Sequence, residues 1–85
     1  MKIGYSPRFW RLYSKLPADI KILTKERLNI FIENYLDPRL KTHKLGGTLD
    51  GHLAFSVNYR YRVIFEIIDK NVAFLVAVGD HSIYR

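Results

Sequence analysis

Cysteine is absent from the chain, and with it two ways of holding a small fold together, a disulfide framework and a thiolate metal cage. That absence suits a reducing cytoplasm, where we expect the protein to reside. Long apolar runs are missing too. The longest extend only a few residues, so no membrane span is expected, and the opening MKIGYSPRFW holds no apolar stretch of signal-peptide length. Only 3 prolines and 5 glycines accompany 48% hydrophobic and 14% aromatic residues, which is the composition of a folded globule and not of a disordered chain. Acidic residues are scarce: 8 Asp and Glu stand against 14 Lys and Arg, leaving a net charge of +6. Such an excess points to a polyanion or an acidic protein as partner, with solubility alone as the plain alternative.

What is present fits one domain, residues 1–85. A chain of 85 residues buries only about 60–65% of its unfolded surface, so nearly every large apolar side chain must enter one core. Residues 2–5 read as a short strand. Ser6 followed by Pro7 is a helix start, because Ser accepts from an orphan N–H and Pro is pre-set for the first turn. Phe9, Leu12, Tyr13 and Leu16 then recur at helical spacing until Pro17, which interrupts the first helix and opens a second. Ile20, Leu23, Leu28, Phe31 and Tyr35 continue the apolar stripe to Asp37 and Pro38. Residues 37–51 form a basic loop with Arg39, Lys41, His43 and Lys44, turned by Gly46, Gly47 and Gly51.

Alternation of period two marks strands at 53–57 and 61–68, joined through Asn58 and Tyr59. After a turn at Asp69, Lys70 and Asn71, the run VAFLVAV at 72–78 is apolar on both faces and reads as the central strand. The expected fold is α+β: a helical hairpin on one face of a four-stranded, mostly antiparallel sheet, in the order β-α-α-β-β-β. Tyr61, Val63, Phe65 and Ile67 form the more apolar face and should lie under the helices, which sends Arg62 to the other face. An arginine there needs an anion or a carboxylate, since an unpaired buried charge is costly. Glu66 on the same face is one candidate; a phosphate is another.

Three strings carry a resemblance: HKLGGTLDG at 43–51, FSVNYRYRVIFEI at 55–67 and GDHSIY at 79–84, supported by SPRF at 6–9 and DPRLKTHKL at 37–45. Together, over essentially the whole chain, they resemble the RelE/ParE superfamily of bacterial toxins, in the RelE/StbE branch that includes YafQ-like proteins. The resemblance implies the toxin of a type II toxin–antitoxin system, a ribosome-dependent endoribonuclease that cuts mRNA in the ribosomal A site. Its implied partners are an acidic antitoxin, mRNA and ribosomal RNA, with no membrane. On the matching positions it implies Arg62 at the scissile phosphate, His81 and Tyr84 in the C-terminal part of the site, and His43 from the loop. Lys41, Lys44, Arg60 and Arg85 would hold the RNA backbone. One position departs: where many relatives carry a basic residue, this chain has Ser56, leaving Arg60 to supply the missing charge or the site to be organised differently.

Those residue types suit the chemistry. Cleavage by the 2′-oxygen needs a group to take its proton, a cation for the charge building on the phosphate and a donor for the leaving 5′-oxygen. Histidine serves the first or last role, and arginine, a fixed fork for phosphate oxygens, serves the second. Tyr84 would stack on an unpaired base or donate its phenol proton. Plainer readings stand beside these: His43 bonded to a loop carbonyl, His81 paired with Asp80, Tyr84 capping the core edge, and His52 solvated. His43, His52 and His81 lack metal-site spacing, so no metal and no cofactor are expected. Two alternatives keep the fold and change the activity: a ParE-like inhibitor of DNA gyrase acting by protein contact, and a catalytically silent binder of RNA or antitoxin.

Overall fold

The computed structural model describes residues 1–84. In chain order the elements are β1 (Lys2–Tyr5), α1 (Pro7–Ser14), α2 (Ala18–Glu33), β2 (His43–Lys44), β3 (Leu53–Ser56), β4 (Arg62–Asp69) and β5 (Val72–Gly79). Single 3-10 turns lie at Pro38–Leu40, Gly47–Leu49 and His81–Tyr84. The strands form one five-stranded sheet in the order β1-β5-β4-β3-β2. Only β1 runs parallel to its neighbour, β5; the other pairings are antiparallel.

The α+β architecture and the helical hairpin are as the sequence predicts, with one strand more than expected. The additional strand is β2, a two-residue edge ladder in which His43 faces Ala54 and Lys44 faces Leu53. Two residues carry no alternation to read, and the ladder exists only because the basic loop folds back along β3. The most central strand is β4; β5 lies beside it, enclosed between β1 and β4. α2 stops at Glu33, short of the expected end at Asp37. The Asn34 side chain accepts from the Leu36 N–H at 3.1 Å, a local turn that competes with helix continuation.

Local chemistry seats the first helix. Ser6 Oγ accepts from the Phe9 N–H at 2.9 Å and donates to the Val76 carbonyl at 2.7 Å, so one hydroxyl caps α1 and ties its start to β5. Beneath the helices, Phe31 packs against the rings of Phe55 and Phe65 at centroid distances of 5.0 and 4.8 Å. Phe9, Leu40, Val63, Leu75 and Val78 complete that buried layer. Each such side chain contributes about 1.5–3 kcal/mol by leaving water. Val63, Phe65 and Ile67 therefore face the helices and Arg62 faces away, as the alternation predicts.

The opposite face has its own small core of Ile64, Ala77 and Ile83, edged by Leu45, Leu49 and Tyr84. A register shift in β4–β5, from Ile64–Ala77 to Phe65–Leu75, leaves Val76 as the extra residue of a bulge. This second core matters for function because it anchors the C-terminal turn. No helix among the described residues is long and apolar enough to cross a membrane.

Candidate functional site

Arg62 opens β4, facing Ser56 on one side and Gly79 on the other. Its Nη1 donates to the carbonyls of Asn58 and Tyr61, the latter at 3.1 Å, so one end of the guanidinium is spent on the β3–β4 turn. The remaining edge, Nε–H and Nη2–H, is the planar fork that matches two oxygens of a phosphate. Glu66 does not neutralise Arg62. Its carboxylate is taken by His52 Nε2 at 2.7 Å, so His52, expected to be solvated, is a half-buried partner in a cross-strand pair. Among the described residues no carboxylate lies within 4.0 Å of the Arg62 guanidinium.

The C-terminal turn reaches Arg62 by folding back over the sheet. Asp80 accepts from the Ser82 N–H at 3.0 Å, which opens the His81–Tyr84 turn and holds the Asp80 carboxyl below its ordinary range. Ile83 is buried against Ile64 and Ala77. Gly79 makes this possible: a Cβ there would stand 2.6 Å from Ile83 Cγ2. His81 and Tyr84 are brought side by side, their ring centroids 5.9 Å apart at 60°. Burial raises the Tyr84 phenol pKa, and the nearby Arg62 cation offsets part of that rise.

His43 comes from the edge strand β2. Its Nδ1 lies 3.1 Å from the Lys41 carbonyl oxygen, and a nitrogen facing a carbonyl must carry the proton. In the neutral imidazole that leaves Nε2 with the lone pair, the form a base requires. The loop carbonyl of the plainer reading is therefore present, and it sets the tautomer. Lys41 holds its carbonyl there from a left-handed backbone conformation, φ 51° and ψ 43°, which is unfavourable for a residue with a Cβ.

His43, Arg62, His81 and Tyr84 line one open cleft of about 450 Å³, walled by Leu45, Gly46, Gly47, Thr48 and Leu49. The expected backbone-binding residues are more dispersed. Lys41 lies in a neighbouring groove that shares Arg62 with the cleft. Lys44, one ladder position beyond His43, lines a separate hollow with Asp50 and His52. Arg60 is drawn to the other side of the turn, its Nη2 4.0 Å from Asp80 Oδ2 and its guanidinium 5.7 Å from the Tyr61 ring centroid. Arg85 falls outside the described residues. Ser56 is buried in the floor of the neighbouring groove, beside Arg27 and Arg39. Sequence reading passed over Arg27. Helical spacing puts Arg27 on the face of Ile20, Thr24 and Phe31, but that spacing does not reveal the Val57 carbonyl that holds it.

No protein-family model and no curated protein sequence matches the chain. Solved structures do. YafQ from E. coli strain BL21(DE3) superposes with a TM-score of 0.81 at 18% identity, over 98% of this chain and 96% of that one. A YoeB/ParE toxin from Agrobacterium tumefaciens gives 0.79 at 13% identity, over 95% and 99%. YafQ in the E. coli DinJ-YafQ toxin-antitoxin complex gives 0.78 at 20% identity, over 96% and 93%. Nearly full coverage of both partners at such low identity is a likeness of backbone, and it agrees with the strings quoted from the sequence: the chain has the RelE-like fold of the YafQ and YoeB toxins.

Proposed function

We propose that the chain is the toxin of a type II toxin–antitoxin system and acts in the cytoplasm as a ribosome-dependent endoribonuclease on mRNA. The observation that carries this reading is the convergence of His43, Arg62, His81 and Tyr84 from three separate stretches of sequence on one open cleft. His43 Nε2 takes the proton from a ribose 2′-OH. The 2′-oxygen attacks the adjacent phosphorus, forming a 2′,3′-cyclic phosphate as the bond to the 5′-oxygen breaks. Nε–H and Nη2–H of Arg62 hold the charge that builds on the phosphate oxygens. Tyr84 or His81 returns a proton to the leaving 5′-oxygen, and the pair of rings gives an unpaired base a surface to stack on. The net charge of +6 supports contact with ribosomal RNA and with an acidic antitoxin that would screen it. The solved DinJ-YafQ complex shows that a toxin of this fold pairs with a second protein.

The test is induced expression of wild type, Arg62→Ala and, as a control outside the cleft, His52→Gln. Transcript 5′ ends are mapped at translated codons while DNA breaks are scored. We expect growth arrest with new mRNA ends in wild type and His52→Gln, and neither in Arg62→Ala. Arrest with intact transcripts and accumulating DNA breaks would replace the nuclease with a gyrase inhibitor. Undisturbed growth of the wild type would leave a silent binder.

A further inference from the structure

Beyond the cleft, on the other side of Arg62, the β3–β4 turn and the segment around Pro38–Leu40 enclose a second groove of about 280 Å³. Its charged wall is Arg27, Arg39 and Lys41, and Tyr59 stands at its rim. Arg39 adds little net charge, because it forms a two-pronged pair with Asp37, at 3.0 Å from Nε and 2.9 Å from Nη2. That pair drives the Asp37 carboxyl down to about 2, so both partners stay ionised at neutral pH. Arg27 and Lys41 differ: among the described residues neither has a carboxylate within 4.0 Å. Arg27 is also held in place, its Nε donating to the Val57 carbonyl at 3.2 Å, and among the described residues its two terminal nitrogens have no hydrogen-bond partner. Arg27 and Arg62 thus hang on carbonyls of the same turn, and both line the groove.

Tyr59 supplies the second element. It is 88% exposed, an aromatic ring at a turn tip with almost no apolar surface against it. Nothing in the packing of the turn needs that ring, since Asn58 Oδ1 already accepts from the N–H groups of Arg60 and Tyr61 at 2.9 and 2.8 Å. Fixed cations beside an exposed aromatic face are what single-stranded nucleic acid binds, with phosphate on the cations and base on the ring.

We propose that this groove is a second nucleotide subsite, holding the nucleotide one step beyond the two that flank the scissile phosphate, with Arg27 and Lys41 on its phosphate and Tyr59 stacked on its base. The choice of RNA as occupant rests on the nuclease reading. The subsite itself rests on the groove and on its sharing Arg62 with the cleft. A dinucleotide fills the cleft alone, whereas a longer strand passes Arg62 and enters the groove.

The experiment measures binding of fully 2′-O-methylated, uncleavable RNA of two and of six nucleotides by fluorescence anisotropy across a salt series. Wild type, Arg27→Gln and Tyr59→Ala are compared. Because Tyr59 is exposed, its variant reads the subsite even if Arg27→Gln disturbs the fold. We expect each variant to lose at least tenfold in affinity for the hexanucleotide and to bind the dinucleotide as wild type does. Arg27→Gln should also flatten the slope of log affinity against log salt by about 0.7, the share of one phosphate contact on a single strand. Equal losses for both lengths, or no loss in Tyr59→Ala, overturn the subsite. Variants that show the length-dependent loss, together with a wild type that leaves transcripts intact in cells, sink the nuclease reading and leave the subsite standing. Wild type that cuts transcripts while both variants bind the hexanucleotide normally does the reverse.

Discussion

Arg62 and Gly79 face each other across the β4–β5 ladder, and the missing side chain of the second lets the C-terminal turn close over the first. Ile83 occupies the space a Cβ would need, at 2.6 Å, and it is β-branched and buried, so it cannot swing aside cheaply. Gly79→Ala is therefore expected to destabilise the protein by about 1–3 kcal/mol, the usual range for overpacking. It should also lower RNA cleavage more than that loss explains, because His81 and Tyr84 ride on the displaced turn. Chemical denaturation and single-turnover cleavage measure the two effects. Gly79→Ala combined with Ile83→Ala removes the clash, and a double mutant as unstable as the sum of its parts would show that the clash was not the cause.

Arg62→Lys separates charge from geometry. Lysine keeps the positive charge and loses the fork, together with the Nη1 bonds that tie down Asn58 and Tyr61. Two hydrogen bonds of ordinary net worth give a stability loss of about 1–2 kcal/mol. Cleavage should fall by roughly 10²–10³, as when one preorganised donor to a developing oxyanion is removed. A variant that cuts as fast as wild type would show that charge alone suffices and that the fork holds no phosphate.

Much of this placement was legible in the sequence. Period two in residues 61–68 sends Val63 and Phe65 to one face and Arg62 to the other whatever the turn geometry, and Ser6 before Pro7 marks a helix start by chemistry local to three residues. Illegible were the features whose partners lie far along the chain. Arg27 reads as one more cation on a helix until the Val57 carbonyl, 30 residues away, fixes it at the turn. His52 reads as a solvated residue on the face opposite Leu53 and Phe55, and only the β3–β4 register, which sets Leu53 against Phe65, brings it to Glu66. Gly79 reads as a strand end, and only the return of Ile83 shows why a side chain is excluded there. The cleft belongs to this second group. Its residues were nameable one at a time, but their convergence depends on a turn folding back over the sheet.

The Tyr84 phenol gives a pH signature. Burial raises its pKa above the ordinary 10.0, with Arg62 opposing, so the folded protein binds this proton more tightly than the unfolded chain. Its contribution to stability is complete below pH 10 and is lost as pH rises through the raised folded value. The difference in urea midpoint between wild type and Tyr84→Phe should accordingly hold steady up to about pH 10 and shrink as pH climbs beyond it. A constant difference would place the phenol in water. At neutral pH the group is an O–H donor and not a base, so Tyr84→Phe should lower cleavage by about 10²-fold, the low end for a lost proton donor.

Lys41 couples backbone conformation to chemistry most directly. Its left-handed φ of 51° turns its carbonyl toward His43 Nδ1, and a residue with a Cβ pays roughly 1–2 kcal/mol for that conformation. Glycine adopts it freely. Lys41→Gly should leave stability unchanged or raise it by up to about 1 kcal/mol, since the relief of strain is partly offset by the greater freedom of glycine in the unfolded chain. The same substitution removes a cation from the groove beside Arg62, so RNA binding should weaken and its salt dependence should flatten. Cleavage at saturating RNA should hardly change, because the carbonyl that sets the His43 tautomer belongs to the backbone and survives the exchange. Lys41→Pro makes the complementary case: proline fixes φ near −65°, takes the carbonyl away from His43 and should lower the saturated rate as well. If Lys41→Gly reduced the saturated rate as far as Lys41→Pro, the lysine side chain itself would be acting on the reacting phosphate, and the role assigned to its carbonyl would fall.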